Sequence, residues 1–538
     1  MKSIKNLQVY LVEKITKNYF IILILFSLLA SIYHGLFIYQ RGLTAGLIIS
    51  GDIFYPNEKN VLYIWYNNSW SIYHQIISFL INSGINNVNF LNVLILFLST
   101  LANTFGLFLI TNSILKNHLF ALFISIFILI TQINFGNLDF PVLVYSEHTN
   151  ASIGSAVAIL VIGFIGNKNY KLAYFFSLLN ILLHLVIGLW IFFIFLISLF
   201  FFRNSKKNYN LNLKNLILTT LPILILFVLF FVKFYLNLVE IPFNKDLELY
   251  QKYLNIWDNH RSVINPTNYT YIFLSFVMCS MITFLLKNKN QYLNHSQEFL
   301  LKFILSHVIL SFIIYIIYKN FPQIFPNIVV RAMPNRLFLI HSLFGSAIIF
   351  SIFFMFLKQN KINSDYLKYF IPVVLIVLLS GDFKRYFDKI ISLPSSYVNK
   401  TFYDGKFWNS INRDKSINGF LLTSVGSCGK TIQRSKKPIL ICIETIDYAN
   451  YIPELLPPIK SIISDIYEID FYNPPEKMHG GIWYDETYRN VFENRNYNDW
   501  ILISEKYNLS GLILPNTWVI NLKQKYLGKE FAFYSFEK

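Results

Sequence analysis

The sequence predicts an α-helical polytopic membrane protein of about 11 transmembrane helices, N-terminus in and C-terminus out, with a C-terminal extracytoplasmic α/β domain. Three observations predict it. The 538-residue chain is 54% hydrophobic, with mean hydropathy +0.46, 53 Phe and 35 Tyr, far more apolar and aromatic than a soluble protein. Its apolar residues gather in eleven runs between about 18 and 372. Its charges are sorted to alternate ends of those runs.

Taken in order, Tyr19–Gln40, Phe90–Thr111, His118–Asn134, Leu216–Leu238 and Arg336–Leu357 approach or exceed the roughly 20 apolar residues that cross about 30 Å of hydrocarbon. Asn150–Gly166, Tyr269–Leu286, Glu298–Tyr318 and Leu367–Ser380 are weaker spans. Lys171–Phe202 is too long for one span at ~1.5 Å per residue and reads as two short helices turning near His184–Gly188. The first run is long and no small-residue cleavage site follows it, so it reads as a span and not as a cleaved leader.

The net charge of +17 invites a nucleic-acid reading that its distribution rejects. From Gly381 onward there are 20 basic and 18 acidic residues, so the membrane part carries the excess. Within that part, the loops assigned inside hold 17 Lys and Arg against 3 acidic residues, and the opposite loops hold 8 against 8. This is the positive-inside pattern of short loops near helix ends. The clusters Lys2–Lys17, Arg203–Lys214 and Lys287–Lys289 are topology signals that also suit anionic lipid. No nucleic-acid partner is expected.

Residues 1–380 therefore form a transmembrane domain with a long first outer loop, 41–89, and residues 381–538 an exported domain. After Ser380, charge density rises and apolar runs shorten to strand length. Phe420–Ser424 and Ile439–Ile443 read as buried strands, Glu454–Asp470 and Asp499–Asn508 as helices, and Leu509–Pro515 and Phe531–Phe536 as strands. Cys428 and Cys442, 14 residues apart, could form a disulfide in an oxidising compartment. "GSCGKT" at Gly426–Thr431 lacks the spacing of a phosphate loop, and no HExxH or GxSxG occurs in this domain.

Four outer loops carry the candidate chemistry. The first, "SGDIFYPNEKNVLYIWYNNSWSIYHQ", presents Asp52 followed by Tyr55 and further aromatics, with an amphipathic helix over Ser71–Asn82. Such aromatics form an anchoring belt in many membrane proteins, but aromatics beside a carboxylate also build sugar- or lipid-binding clefts. The second loop, "NFGNLDFPVLVYSEHTN", brings Asp139, Glu147 and His148 with no Lys or Arg. The third, "YQKYLNIWDNHRSVINPTN", brings Asp258, His260 and Arg261. The fourth, "KNFPQIFPNIVVRAMPNR", places Arg331 and Arg336 at the mouth of a span. They lie on the side where positive residues are disfavoured, which suits either interfacial snorkelling or a phosphate partner. His184 and His307, the notable polar groups within spans, read as packing histidines.

In plan the chain resembles bacterial members of the GT-C type of integral-membrane glycosyltransferase. The resemblance rests on the inside N-terminus and the long first outer loop with early "GDIF". The paired-helix segment around "LLHLVIGLW", the "WDNHR" and "VVRAMPNR" stretches and the terminal outer domain complete it. "GDIF" lacks the second acidic residue of a DxD-like pair. The resemblance implies a multi-pass enzyme of the bacterial inner (cytoplasmic) membrane with a periplasmic or extracellular C-terminal domain. It would move sugar from a polyprenyl-phosphate donor, held within the membrane lipid, to a glycan, lipid or protein acceptor. Asp52 would take the acceptor proton, and His260, Arg261, Arg331 and Arg336 would meet the departing phosphate. Tyr55 and Asp258 would help bind substrate. Asp139, Glu147 and His148 would bind acceptor hydroxyls or a divalent cation, and no other cofactor is implied. Two rivals share the multi-span plan: an O-antigen or polysaccharide polymerase or ligase, and a lipid-linked sugar flippase or transporter.

Overall fold

The computed structural model describes residues 18–35, 40–131, 135, 150–201, 213–258, 269–321, 324–325, 329, 334–359, 404–424, 428–479 and 485–536. The molecule is mostly helical with one small sheet. It divides into two compact units. A helical unit takes Met1–Ile38, Asn92–Leu229 and Asn265–Ser392, and a mixed unit takes Tyr39–Leu91, Phe230–Ile264 and Leu393–Lys538.

Within the described residues, four helices are long and apolar enough to cross a membrane: Val88–Leu115, Leu218–Asn237, Thr270–Lys287 and His295–Asn320. Tyr19–Gly35, His118–Ile130, Ala151–Gly166, Tyr170–Leu183, Leu185–Phe200 and Ser342–Phe356 are apolar but shorter. Their outward faces carry large apolar side chains, among them Leu218, Leu221, Leu224, Ile225 and Leu229, each more than half exposed. That is the surface a helix shows to hydrocarbon and not to water.

The helical unit packs through small residues. Helices Val88–Leu115 and Asn150–Gly166 meet at Gly106 and Gly163, where an added Cβ would come within 2.8 Å of the facing chain, the close approach that small residues permit in apolar surroundings. The long run 171–202 does break as expected, into Tyr170–Leu183 and Leu185–Phe201, with His184 extended between them. A Cβ at Gly188 would run into the backbone of Asn180 and Ile181. The buried Asn180 amide donates to Gly154 O at 2.9 Å, tying the pair to helix Asn150–Gly166.

The mixed unit is built on a four-stranded sheet: β1 Phe420–Thr423, β2 Leu509–Pro515, β3 Lys523–Leu527 and β4 Phe531–Ser535, in the order β1-β2-β4-β3. β1 and β2 are parallel, in register Leu422↔Leu512, and β2–β4 and β4–β3 are antiparallel. Leu421, Leu422, Leu512, Ile513, Ala532 and Phe533, consecutive pairs that point to opposite faces, are all buried, so both faces of the sheet are covered there. The expected strand over Ile439–Ile443 reduces to a single parallel bridge, Leu421↔Ile439. Leu440–Cys442 are irregular, and a helix over Ile443–Tyr448 takes the last residue, its first turn fastened where the Cys442 N–H donates to Thr445 Oγ1 at 3.1 Å. Helix Leu456–Tyr467 buries Ile459, Ile462, Ile463 and Ile466, the spacing of one helical face. Tyr467, Tyr488, Phe492, Trp500 and Trp518 make an aromatic knot. The Arg495 guanidinium lies 4.8 Å from the Trp500 ring and donates to Ile466 O at 2.8 Å. Cys442 is disulfide-bonded and Cys279 is a free thiol.

Candidate functional site

The first predicted outer loop is three helices: Arg41–Ile49, Val61–Asn68 and Ile72–Asn82. The third matches the amphipathic stretch expected at Ser71–Asn82. Gly42 and Gly46 let it close onto Arg41–Ile49, because a Cβ at either would overlap Tyr73 or Ile77. These helices belong to the same unit as the C-terminal sheet. Asn60 caps Val61–Asn68 through its side-chain oxygen and donates its amide N–H to Leu440 O at 3.1 Å. Gln433 donates to Gln40 O at 3.0 Å and Thr44 Oγ1 at 2.9 Å. The Trp65 ring stacks on Tyr448 at 4.5 Å, and the Tyr66 and Tyr448 hydroxyls are 3.0 Å apart. Burial pushes both phenols up, the Glu444 carboxylate adds to the push and the Arg41 guanidinium opposes it.

Asp52 follows the turn that ends helix Arg41–Ile49, where Gly51 takes a φ of +78°, a conformation that suits glycine. Its Oδ2 accepts a hydrogen bond from Lys436 Nζ at 2.6 Å, and the two side chains are 31% and 21% exposed. Lys436 itself has a φ of 55°, immediately after helix Cys428–Ser435. The pair is thus a solvent-accessible carboxylate clamped to one ammonium. No bond from a described residue engages Oδ1, whose lone pairs can accept a further hydrogen bond. Tyr55, three residues on, is 5% exposed, its ring against Tyr63 and Phe420. Burial pushes its hydroxyl pKa up, and the Ile439 backbone partly opposes this. Tyr55 anchors the loop in the core.

The third predicted loop joins the same unit. Asp246 caps helix Leu247–Ile256, whose end carries Trp257 and Asp258 inward at 1% exposure each. Trp257 Nε1 donates to Phe471 O at 2.8 Å and its ring stacks on Phe471. The buried Tyr253 hydroxyl reaches Ile446 O at 2.8 Å and Asp258 Oδ2 at 3.0 Å, sharing its one hydrogen. Asp258 therefore stands inside the unit beside Tyr253, whose hydroxyl ties helix Leu247–Ile256 to the Ile443–Tyr448 segment.

Asp52, Tyr55 and Asp258 are thus brought into one unit, all docked on the stretch from Phe420 to Ile446. Arg336 lies in the helical unit on the 3-10 turn Pro334–Leu339. Asp139, Glu147, His148, His260, Arg261 and Arg331 lie outside the described residues. Within the described residues, no group of three His, Cys, Asp or Glu could hold a metal ion.

Sequence reasoning missed two features. One is Lys436 as the partner of Asp52; 384 residues separate them, and no local signal links them. The other is a buried polar cluster in the helical unit. Trp190 Nε1 donates to His307 Nδ1 at 2.9 Å, which places the His307 proton on Nε2. His341 Nε2 lies 2.8 Å from both Tyr271 Oη and Ser275 Oγ. The two imidazoles are 5.9 Å apart, edge to face, and both are fully buried. His307 was legible only as a packing histidine, and its ring does pack, against Trp190 and Phe344. Compared with known proteins, the chain matches no family model and no curated protein.

Proposed function

We propose that the chain is a GT-C type glycosyltransferase of a bacterial cytoplasmic membrane. It crosses about eleven times and transfers sugar from a polyprenyl-phosphate donor to an acceptor on the outer face. The observation that carries this reading is the Asp52–Lys436 pair. A carboxylate at the surface of the mixed unit, 31% exposed and fixed by one ammonium at 2.6 Å, is equipped to receive a proton from an acceptor hydroxyl. The charge sorting of the sequence puts the segments of this unit on the outer side. The disulfide at Cys442 suits an oxidising compartment, which agrees with that side.

In the reaction the acceptor oxygen attacks the anomeric carbon and its proton passes to Asp52. The bond from that carbon to the donor phosphate breaks, and the lipid phosphate leaves with the electron pair. Cations meet the charge that develops on the phosphate; Arg336, at a helix entrance, and Arg331, His260 and Arg261 are the residues assigned to this role. Such electrostatic stabilisation is commonly the largest catalytic term. An arginine fork fits phosphate better than an ammonium does.

The test is Asp52→Asn, which keeps shape and removes the proton acceptor. Transfer from a polyprenyl-phosphate sugar in membranes holding the full chain should fall by about 10²-fold or more, with expression unchanged. Wild-type transfer by that variant would remove Asp52 from the role and move the base to Asp139 or Glu147.

A further inference from the structure

We infer that the helical unit binds the phosphate of an anionic lipid headgroup in a basic cavity ringed by Lys116, His118 and Lys168. The cavity has a volume of about 320 Å³, and Asn112, Asn167 and Asn294 also line it. This site is separate from the proposed transferase chemistry and does not rest on it.

Charge favours an anion there. Among the described residues, no carboxylate lines the cavity. Glu298, one turn into helix His295–Asn320, is held by Lys302 at 2.6 Å and Lys289 at 3.2 Å. Lys116 and Lys168 each follow directly after a helix or its last turn, at φ 50° and 60°, and both are exposed. Neither makes an ion pair with a described residue. Carbonyls at helix C-termini would repel an anion, but side-chain amides cover several of them here. Gln297 Nε2 donates to Ser113 O at 3.0 Å and Ile114 O at 2.9 Å. Asn167 Nδ2 donates to Leu109 O at 2.8 Å and Gly163 O at 2.9 Å. Helices His118–Thr131 and His295–Asn320 begin at the rim and add the partial positive charge of their N-termini.

Two buried polar atoms point to a missing partner. His118 Nδ1 and Asn112 Oδ1 are shielded from solvent and bond no described residue, an arrangement that is unfavourable while it lasts. A phosphate oxygen would accept from His118 once that imidazole carries its hydrogen on Nδ1. Rotating the Asn112 carboxamide would present its NH2 group to the same anion.

The surroundings favour a lipid over free phosphate. Phe120 and Leu172, in the helices that begin beside the cavity, are 42% and 38% exposed and can lie against acyl chains. Both lysines also sit in loops that the charge count assigns to the inner face, where basic pockets between spans meet anionic headgroups.

Native mass spectrometry of the full chain, delipidated and then titrated with phosphatidylglycerol or phosphatidylcholine, tests the site. Wild type should retain phosphatidylglycerol in preference to phosphatidylcholine. Lys116→Gln with Lys168→Gln should weaken phosphatidylglycerol on the order of 30-fold, about fivefold for each lysine. Lys206→Gln with Lys207→Gln, in a loop that the charge count assigns to the same face, should leave it unchanged. His118→Phe, which keeps the stacking ring, should also weaken it. Equal losses in the two lysine pairs would mean diffuse attraction and overturn the site. Displacement of the lipid by millimolar inorganic phosphate, with equal stabilisation by either, would overturn the lipid assignment.

Discussion

In the helical unit, many buried hydroxyls are satisfied by their own helix. Ser31 donates to Ser27 O at 2.6 Å, Thr111 to Leu107 O at 2.8 Å and Ser125 to Ala121 O at 2.6 Å. The mixed unit has such bonds too, as from Ser435 to Thr431 O at 2.7 Å, but its segments are joined by buried side-chain bonds that leap along the chain. Asn60 reaches Leu440, Gln433 reaches Gln40, and Trp257 reaches Phe471. The difference teaches where each unit keeps its specificity. A helix that closes its own hydrogen bonds can meet its neighbours through apolar and small-residue contacts, the requirement imposed by hydrocarbon. The mixed unit is stitched from three separate segments, and its buried polar side chains are the stitches.

Breaking one stitch should therefore cost far more than breaking a local bond. Trp257→Ala removes a buried ring and its donor, and should destabilise the mixed unit by about 3–5 kcal/mol. Trp257→Phe keeps the stack on Phe471 and should lose only about 1 kcal/mol. Ser125→Ala, by contrast, deletes a bond within one helix of the other unit and should cost less than about 1 kcal/mol. Thermal unfolding in detergent would rank the three, and a Ser125→Ala loss equal to that of Trp257→Ala would erase the contrast.

The next effect sharpens the comparison at Arg336, a residue of the helical unit. Arg336→Ala should weaken binding of polyprenyl-phosphate donor by roughly 1.5–3 kcal/mol, the scale of a charged hydrogen bond. Arg336→Lys should recover only part of it, because an ammonium lacks the forked geometry. Equal donor affinity in all three proteins would leave Arg336 as an interfacial anchor.

The smallest effect is one of pH within the mixed unit. Burial alone would raise the Asp414 carboxyl, but hydrogen bonds from Ser416, Lys525 and Tyr526 outweigh it and bring the pKa down to about 2. A carboxylate held lower in the folded state adds stability above its unfolded pKa of 3.8, and that stability is lost as pH falls through about 2. Asp414→Asn should remove on the order of 1 kcal/mol at neutral pH once solvent screening is allowed for. It should also flatten the acid limb between pH 4 and 2. An unchanged acid limb would show that the cluster adds nothing.

The same contrast explains what could be read in advance. The turn at His184 was legible because 32 residues from 171 to 202 exceed one span. The helix at Ile72–Asn82 was legible from its periodicity, and the strands Leu509–Pro515 and Phe531–Ser535 from their apolar runs. Strand β3 was not, since "KQKYL" carries lysines that suit an exposed edge and hide its strand character. The strand expected over Ile439–Ile443 shrank because Ile443 opens a helix. At the candidate site, Asp52 could be singled out by its place after the first span, but its clamp by Lys436 could not. Nor could the burial of Tyr55 and Asp258, which depends on docking partners far along the chain. Long-range stitching leaves no periodic trace.

The central claim is that the three segments of the mixed unit stand together on the outer side of the membrane. Single cysteines at Glu58, Lys252 and Lys529, one from each segment and all exposed, can be probed in a Cys279→Ser background with a membrane-impermeant maleimide. Lys171, in the first turn of helix Tyr170–Leu183 at the end that the charge count assigns inside and also exposed, serves as the opposite-face control. All three should label on intact cells, while Lys171→Cys should label only after the membrane is opened. Protection of any one of the three, or labelling of Lys171→Cys in intact cells, would contradict the account.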